Sequence, residues 1–146
     1  MKQRFLIVAA MLLPCVLGAQ QSPKQVIQTG TAAPNPNANF SPGVRVGNLL
    51  FVSGQLGPLT DSTIQGQTKG ALENMKKVLD AAHVGVEDVV KCTVFMTDMK
   101  EFNDMNMVYR DFFPADKGRP ARSAVQVVAL ANPRAKVEIE CIAAVP

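Results

Sequence analysis

Two stretches with the periodicity of an amphipathic helix alternate along this chain with apolar, strand-like segments, and this order restricts the fold. The first helix is predicted from about Thr63 to Ala82, where apolar residues recur every three or four positions. The second is predicted from about Met99 to Phe113, and Pro114 ends it. Both helices are long enough to cover part of a sheet.

The remaining regular segments have the composition of strands. Strands are predicted at 26–30, twice within 43–57 around a Gly47-Asn48 turn, and at 88–97, 121–130 and 136–145. This order is typical of an α+β domain with a single sheet and both helices on one face. Because the strands are apolar at most positions, the other face is expected to meet a partner. We therefore predict a homo-oligomer with its sheets facing inward.

The N-terminal residues have the layout of a secretory signal peptide. Lys2 and Arg4 precede an apolar run, and small residues follow at Gly18 and Ala19. The run is shorter than the roughly 20 residues of a membrane span, and Pro14 before Cys15 is a poor fit to a lipoprotein signal. The predicted organisation is a signal peptide at 1–19, an N-terminal segment and loop at 20–42 and a domain at 43–146, with the domain as a whole at 24–146. We expect a periplasmic or secreted protein, with no membrane attachment after cleavage.

Charge and composition exclude some classes of partner. Cleavage removes two of the 15 basic residues and none of the 12 acidic ones, which leaves a nearly neutral chain. No cluster of Lys or Arg marks a nucleic-acid footprint, and the chain has no Trp and one Tyr for base stacking. We therefore expect no nucleic-acid partner.

Cys92 and Cys141 remain after cleavage, and their state is open. An oxidising compartment allows them to pair. Both lie in apolar strand-like segments, where a buried free thiol is the more usual state.

Polar residues in apolar surroundings are the candidate site residues. Arg122 lies near the start of an apolar strand; it either reaches solvent or an acid, or binds a carboxylate in a bidentate manner. Glu138 and Glu140 share one face of the last strand; they form a solvated face, or one of them positions water. Asn106, on the apolar face of the second helix, ties backbone groups or lines a pocket.

Two further observations concern chemistry. Ser53-Gly54 interrupts an apolar strand, which indicates a bulge or a close backbone approach. His83 is the only histidine and falls at a predicted helix end, so a metal site is not expected. The chain shows no Ser-His-acid set, no glycine-rich phosphate loop and no CxxC pair.

Four stretches resemble the RidA (YjgF-like) family. They are VGNLLFVSGQLG, EDVVKCTVFMTDMKEFNDMNMVYRDFF, RPARSAVQV and KVEIECIA, in that order over nearly the whole chain after the signal. The resemblance implies a chorismate-mutase-like fold and a homotrimer with a site in each cleft between subunits. It also implies hydrolysis of reactive 2-imino or enamino acids, such as 2-aminoacrylate or 2-iminopropionate, to 2-oxo acids and ammonia. No metal or organic cofactor is implied.

The resemblance also assigns roles by position. Arg122 matches the arginine that grips the substrate carboxylate, and Glu138 matches the acid that holds the attacking water. Asn106 matches the helix asparagine near the cleft, and Ser53 and Gly54 match strand residues that line it.

Two positions depart from the family pattern. Phe40 stands where tyrosine is common, and Ala124 where cysteine is frequent, so the pocket lacks a hydroxyl and a thiol. The alternative function is therefore a non-enzymatic trimer that binds small carboxylates or acts as a chaperone. The sequence leaves the physiological substrate and the exact cleavage site open.

Overall fold

The computed structural model describes residues 23–30 and 35–146, and the predicted signal peptide at 1–19 lies outside them. The strands are β1 (Gln25–Ile27), β2 (Gly43–Val46), β3 (Leu49–Leu56), β4 (Val89–Met96), β5 (Ala121–Gln126) and β6 (Val137–Ala144). The helices are α1 (Ile64–Ala81) and α2 (Phe102–Phe112), with short 3-10 turns at Val86–Asp88 and Met99–Glu101. The predicted order of elements is confirmed. No described helix carries an apolar stretch long enough to cross a bilayer.

The strands form one sheet in the order β1-β2-β3-β6-β4-β5. Neighbouring strands are antiparallel except β4 and β5, which run parallel and are joined through α2. Helices α1 and α2 pack against each other and against one face of the sheet. The predicted α+β architecture, a single sheet with both helices on one face, is confirmed.

Strand alternation separates a core face from an open face. On β6, Val137 and Ile139 are fully buried against the helices, while Glu138 and Glu140 point to the opposite side. The core between sheet and helices includes Leu50, Val94, Leu72, Met75, Leu79 and Met105. This alternation decides on which side of the sheet each candidate site residue lies.

The ends of α1 follow from local sequence. The Thr63 hydroxyl accepts a hydrogen bond from the Gly66 N–H at 3.1 Å and caps the first turn. At the other end His83 has a φ of 56°, and the Val84 N–H donates to the Leu79 carbonyl at 3.0 Å. This is the backbone arrangement that commonly ends helices. The only histidine of the chain thus lies at a helix terminus, as expected from its position.

Two predicted strands are longer than the structure allows. β1 was predicted at 26–30 and spans Gln25–Ile27; β5 was predicted to continue to residue 130 and ends at Gln126. The Val127 N–H makes the last bond, to the Met96 carbonyl at 2.8 Å, and β4 ends there. Because β5 lies at the edge of the sheet with β4 as its neighbour, its apolar continuation has no strand to pair with once β4 has ended.

Of the two states that the sequence left open for Cys92 and Cys141, the structure has the disulfide. The β4–β6 register places the two residues directly opposite each other, with Cα atoms 4.1 Å apart. Both side chains point into the core and are buried. The pairing depends on the register between two distant segments, which composition does not reveal.

The open face of the sheet is mixed rather than uniformly apolar. Its β1–β3 end exposes Val26, Val46, Leu49 and Phe51, each at least 38% exposed. Towards β4 and β6 the face carries Lys91, Thr93 and Glu140. No described element covers this face, so the expectation of a partner rests on the apolar end.

Candidate functional site

A cleft at the sheet edge gathers Arg122 and Asn106. It is bordered by α2 and the start of β5, has a volume of about 430 Å³ and is lined by Asn106, Tyr109, Arg110, Arg119, Pro120 and Arg122. We call it the arginine cleft. Arg122 enters it because its register partner on β4 is Cys92, whose side chain faces the helices. Arg122 is only partly exposed there.

Two aromatic rings of the second helix hold the guanidinium of Arg122. Its central carbon lies 4.5 Å from the ring centroid of Tyr109 and 5.6 Å from that of Phe102. A guanidinium over a ring face is attracted by the ring quadrupole. The ion pairs among the described residues join Lys69 to Glu73, Lys76 to Asp80 and Lys136 to Glu101, and none of them includes an arginine. Arg122 is therefore oriented without being neutralised.

Tyr109 is the buried floor of this cleft. Its side chain is 4% exposed, and its hydroxyl has no hydrogen-bond partner among the described residues. Burial raises the pKa of Tyr109 to about 12, and the charge of Arg122 opposes this shift. The phenol is neutral at physiological pH, so the ring supports the guanidinium without pairing with it.

Glu138 lies beside a bulge in β3. The β3–β6 register shifts between Val52 and Gln55, so Ser53-Gly54 forms the irregularity that the sequence indicated. A Cβ at Gly54 would overlap the Glu138 carboxylate. A side chain at position 54 would therefore displace the carboxylate from this position.

The other predicted residues of this region lie around the bulge. Ser53 donates from its hydroxyl to the Ser41 carbonyl at 2.7 Å, which ties the loop before β2 to the bulge. Phe40, on that loop, is 69% exposed. A second cleft, of about 440 Å³, lies between this loop, the bulge and α1. It is lined by Thr29, Phe40, Pro42, Gly54, Gln55, Leu56, Asn74, Lys77 and Val78. We call it the bulge cleft; Glu138 does not line it, but its carboxylate lies against Gly54, which does.

Arg122 and Glu138 do not meet within one chain. Arg122 is on the helix side of the sheet, whereas the register partner of Glu138 on β4 is Phe95, between the buried Val94 and Met96. The acid therefore points to the open face, and β4 separates the two strands that carry these residues. A single chain presents two half-sites: Arg122 in the arginine cleft, and Glu138 on the open face beside the bulge.

Ala124 and two arginines show where sequence reasoning and structure differ. Ala124 faces the same side as Arg122 but packs against the core and does not line the arginine cleft. Arg110 and Arg119 do line it and were missed. Arg110 was detectable from its spacing, since it lies four residues after Asn106 on the same helix face. Arg119 has no such signal, because a loop brings it to the mouth of the cleft.

Within residues 23–30 and 35–146, no group of three or more His, Cys, Asp or Glu side chains is placed to hold a metal ion.

Known proteins resemble this chain over most of its length. A family profile described as "Endoribonuclease L-PSP" matches residues 30–145. The "Reactive Intermediate Deaminase A, chloroplastic" of Arabidopsis thaliana is 36% identical over 133 residues, 87% of this chain and 69% of that protein. The "2-iminobutanoate/2-iminopropanoate deaminase" of Dermatophagoides farinae is 37% identical over 127 residues, 83% of this chain and 96% of that protein.

A solved structure has the same fold. The crystal structure of RidA from an Antarctic Psychrobacter superposes with a TM-score of 0.72 at 38% identity, over 83% of this chain and 99% of that one.

Proposed function

The chain belongs to the RidA (YjgF-like) family, and we propose that it hydrolyses reactive 2-imino and enamino acids to 2-oxo acids and ammonia. The observation that carries the proposal is the Arg122 guanidinium, held 4.5 Å from the Tyr109 ring centroid in an open cleft. It forms no ion pair with a described residue. An oriented, unneutralised guanidinium is suited to bidentate binding of a substrate carboxylate.

The chemistry asks little of the protein. Water adds to the C=N carbon of the protonated imine, and the resulting carbinolamine loses ammonia to leave a C=O bond. Glu138 orients that water, accepts one of its protons and returns the proton to the departing nitrogen. Arg122 fixes the substrate so that the water meets the imine carbon. The Asn106 side chain, which lines the same cleft, provides a further polar contact for the substrate.

A complete site requires two copies of the chain. Because Arg122 and Glu138 lie on opposite faces of the sheet, we propose that the arginine cleft of one subunit meets the open face of its neighbour beside the bulge, where Glu138 lies, in a homotrimer. The partly apolar open face supports burial of the sheets against each other. Each ring of three then contains three equivalent sites.

The test uses two inactive variants and their mixture. An amino-acid oxidase generates 2-iminopropionate from alanine, and semicarbazide traps imine that escapes hydrolysis. We expect Arg122→Ala and Glu138→Gln each to abolish the loss of trapped product while leaving the oligomer intact. When the two variants are unfolded together and refolded at equal amounts, about a quarter of the sites regain both residues by random assembly.

The mixture separates the proposal from its competitors. Recovery of about a quarter of wild-type activity supports a site shared between subunits, while no recovery contradicts the shared site. If Arg122→Ala disrupts the oligomer, the arginine is structural and the assignment fails. If the wild-type protein alone hydrolyses none of the imines, the proposed deaminase function is contradicted.

The exposed Phe40 ring favours the alternative of a non-enzymatic carboxylate-binding protein. At 69% exposure this ring lines the bulge cleft without a hydroxyl that would bond substrate or water. Phe40→Tyr distinguishes the two functions, because it restores that hydroxyl. Activity in the wild type that Phe40→Tyr raises only modestly supports the enzyme; activity that appears only in Phe40→Tyr supports the binding protein.

A further inference from the structure

The arginine cleft holds more positive charge than one carboxylate requires. Three of the five arginines in the described part of the chain, Arg110, Arg119 and Arg122, line it, and no acidic residue does. None of the three forms an ion pair with a described residue. A concave surface lined by charge of one sign focuses the field and concentrates ligands of the opposite sign.

The three guanidiniums differ in depth. Arg122 is partly buried over its aromatic rings, while Arg110 and Arg119 are exposed at the rim. A substrate carboxylate bound by Arg122 leaves the two rim arginines without a partner. A ligand whose second negative charge extends towards the rim matches all three.

The local backbone fixes the points from which the two rim arginines leave the chain. Arg110 stands one helical turn after Asn106 on α2, so both border the same cleft. Arg119 precedes Pro120, and a residue before proline is restricted to extended conformations. Gly118 before it has a φ of 81°, which a glycine adopts without strain. Arg119 is therefore carried by a turn directly into the start of β5.

We propose that Arg119 and Arg110 are specificity-determining residues that select 2-imino dicarboxylic acids, the imines of acidic amino acids. The inference rests on the proposed deaminase function and names its substrate class. Arg122 binds the carboxylate next to the imine carbon, and the rim arginines bind the side-chain carboxylate. Water replaces the imine nitrogen, which leaves as ammonia, and the product is a 2-oxo dicarboxylic acid. Oxidation of an acidic amino acid at its α-carbon supplies such a substrate.

The kinetic test compares two imines in one assay. A flavin oxidase acting on aspartate supplies iminosuccinate, and one acting on alanine supplies 2-iminopropionate. We expect kcat/KM of the wild type to be higher for iminosuccinate than for 2-iminopropionate. In Arg119→Gln the ratio of these two kcat/KM values is expected to fall about fivefold, which is the upper end of the effect of one exposed charge pair. Arg110→Gln lowers the same ratio. Arg134→Gln is the matched control, an exposed arginine outside the cleft, and keeps the ratio of the wild type.

A binding measurement keeps the inference separate from catalysis. Calorimetric titration compares 2-oxoglutarate with pyruvate, which differ by the second carboxylate and its short linker. We expect 2-oxoglutarate to bind about fivefold more tightly at low ionic strength, with the difference shrinking as salt is added. Equal affinities for the two ligands, or a kinetic ratio that Arg119→Gln leaves unchanged, would overturn the proposed selectivity for dicarboxylic imines. The deaminase function would still stand if the protein hydrolyses 2-iminopropionate. If the protein hydrolyses no imine, the deaminase function is overturned. The ratio of the affinities for 2-oxoglutarate and pyruvate then tests by itself whether the cleft selects dicarboxylates.

Discussion

In the arginine cleft, the ring of Tyr109 positions the Arg122 guanidinium, and the hydroxyl of the same side chain is buried. Its ring lies under the Arg122 guanidinium, and its buried hydroxyl has no partner among the described residues. An apolar ring of the same shape would support the guanidinium equally well. The hydroxyl therefore matters less for binding than for the titration behaviour of the folded protein.

The titration of Tyr109 is directly measurable, since the chain has one tyrosine and no tryptophan. We expect phenolate absorbance in the folded protein to rise with a midpoint near the pKa of about 12, instead of about 10 for a free tyrosine. A raised pKa favours the neutral phenol in the folded state. The associated stability is present below pH ~10 and is lost as the pH rises to ~12, a loss of about 3 kcal/mol.

Tyr109→Phe is the control for this pH dependence, because it keeps the ring and removes the ionisable group. The difference in the free energy of unfolding between wild type and variant is expected to change across this pH window. A phenolate midpoint near 10 in the folded protein contradicts the burial of the hydroxyl.

At the scale of elements, local and non-local information separate clearly. The bounds of α1 were predicted to within one residue, because the helical period and the Thr63 cap both lie in the segment itself. The end of β5 was predicted four residues too late, because it depends on where β4 ends. The same dependence on a neighbouring strand explains why the sequence left the pairing of Cys92 with Cys141 open.

The Cys92–Cys141 disulfide links β4 to β6 across 49 residues of sequence. A cross-link of this span reduces the entropy of the unfolded chain, and we expect reduction to lower the free energy of unfolding by about 2–4 kcal/mol. Urea denaturation with and without a thiol reductant measures this loss. In the double variant Cys92→Ala, Cys141→Ala the reductant is expected to change nothing, and an unshifted wild-type midpoint would argue against the bond.

The disulfide also bears on the proposal that the protein is exported. Disulfides persist mainly in oxidising compartments, so an oxidised Cys92–Cys141 pair and export are expected together. The intact mass of the chain purified from an expressing bacterium tests the export and the disulfide in one measurement. It shows whether residues 1–19 have been removed and whether the two thiols are oxidised; an intact N-terminus in the cytosolic fraction contradicts export.

For the whole molecule, assembly and activity are coupled in the proposed trimer. Phe51 is 43% exposed on the open face of the sheet, and burial of this ring between subunits would leave no room for a charge. We expect Phe51→Asp to yield monomers by light scattering and to lose deaminase activity together with the shared site. Met107→Asp is the control, because Met107 is 46% exposed but lies on α2. A trimeric, active Phe51→Asp protein would show that the open face is not the interface.

The sequence by itself determined the order of helices and strands, the hairpin turn at Gly47-Asn48, the bulge at Ser53-Gly54 and the candidates Arg122, Asn106 and Glu138. These features depend on hydrophobic period, turn chemistry and polar residues in apolar segments, which are properties of contiguous residues.

Only the tertiary structure decided that Arg122 and Glu138 lie on opposite faces, that Cys92 opposes Cys141, and that Arg119 joins Arg122 in one cleft. Each of these depends on strand register or on where a loop returns. Shifting a strand by one residue reverses the face of every side chain on it. That register is set by packing between segments far apart in the chain, so no stretch of the sequence carries it alone.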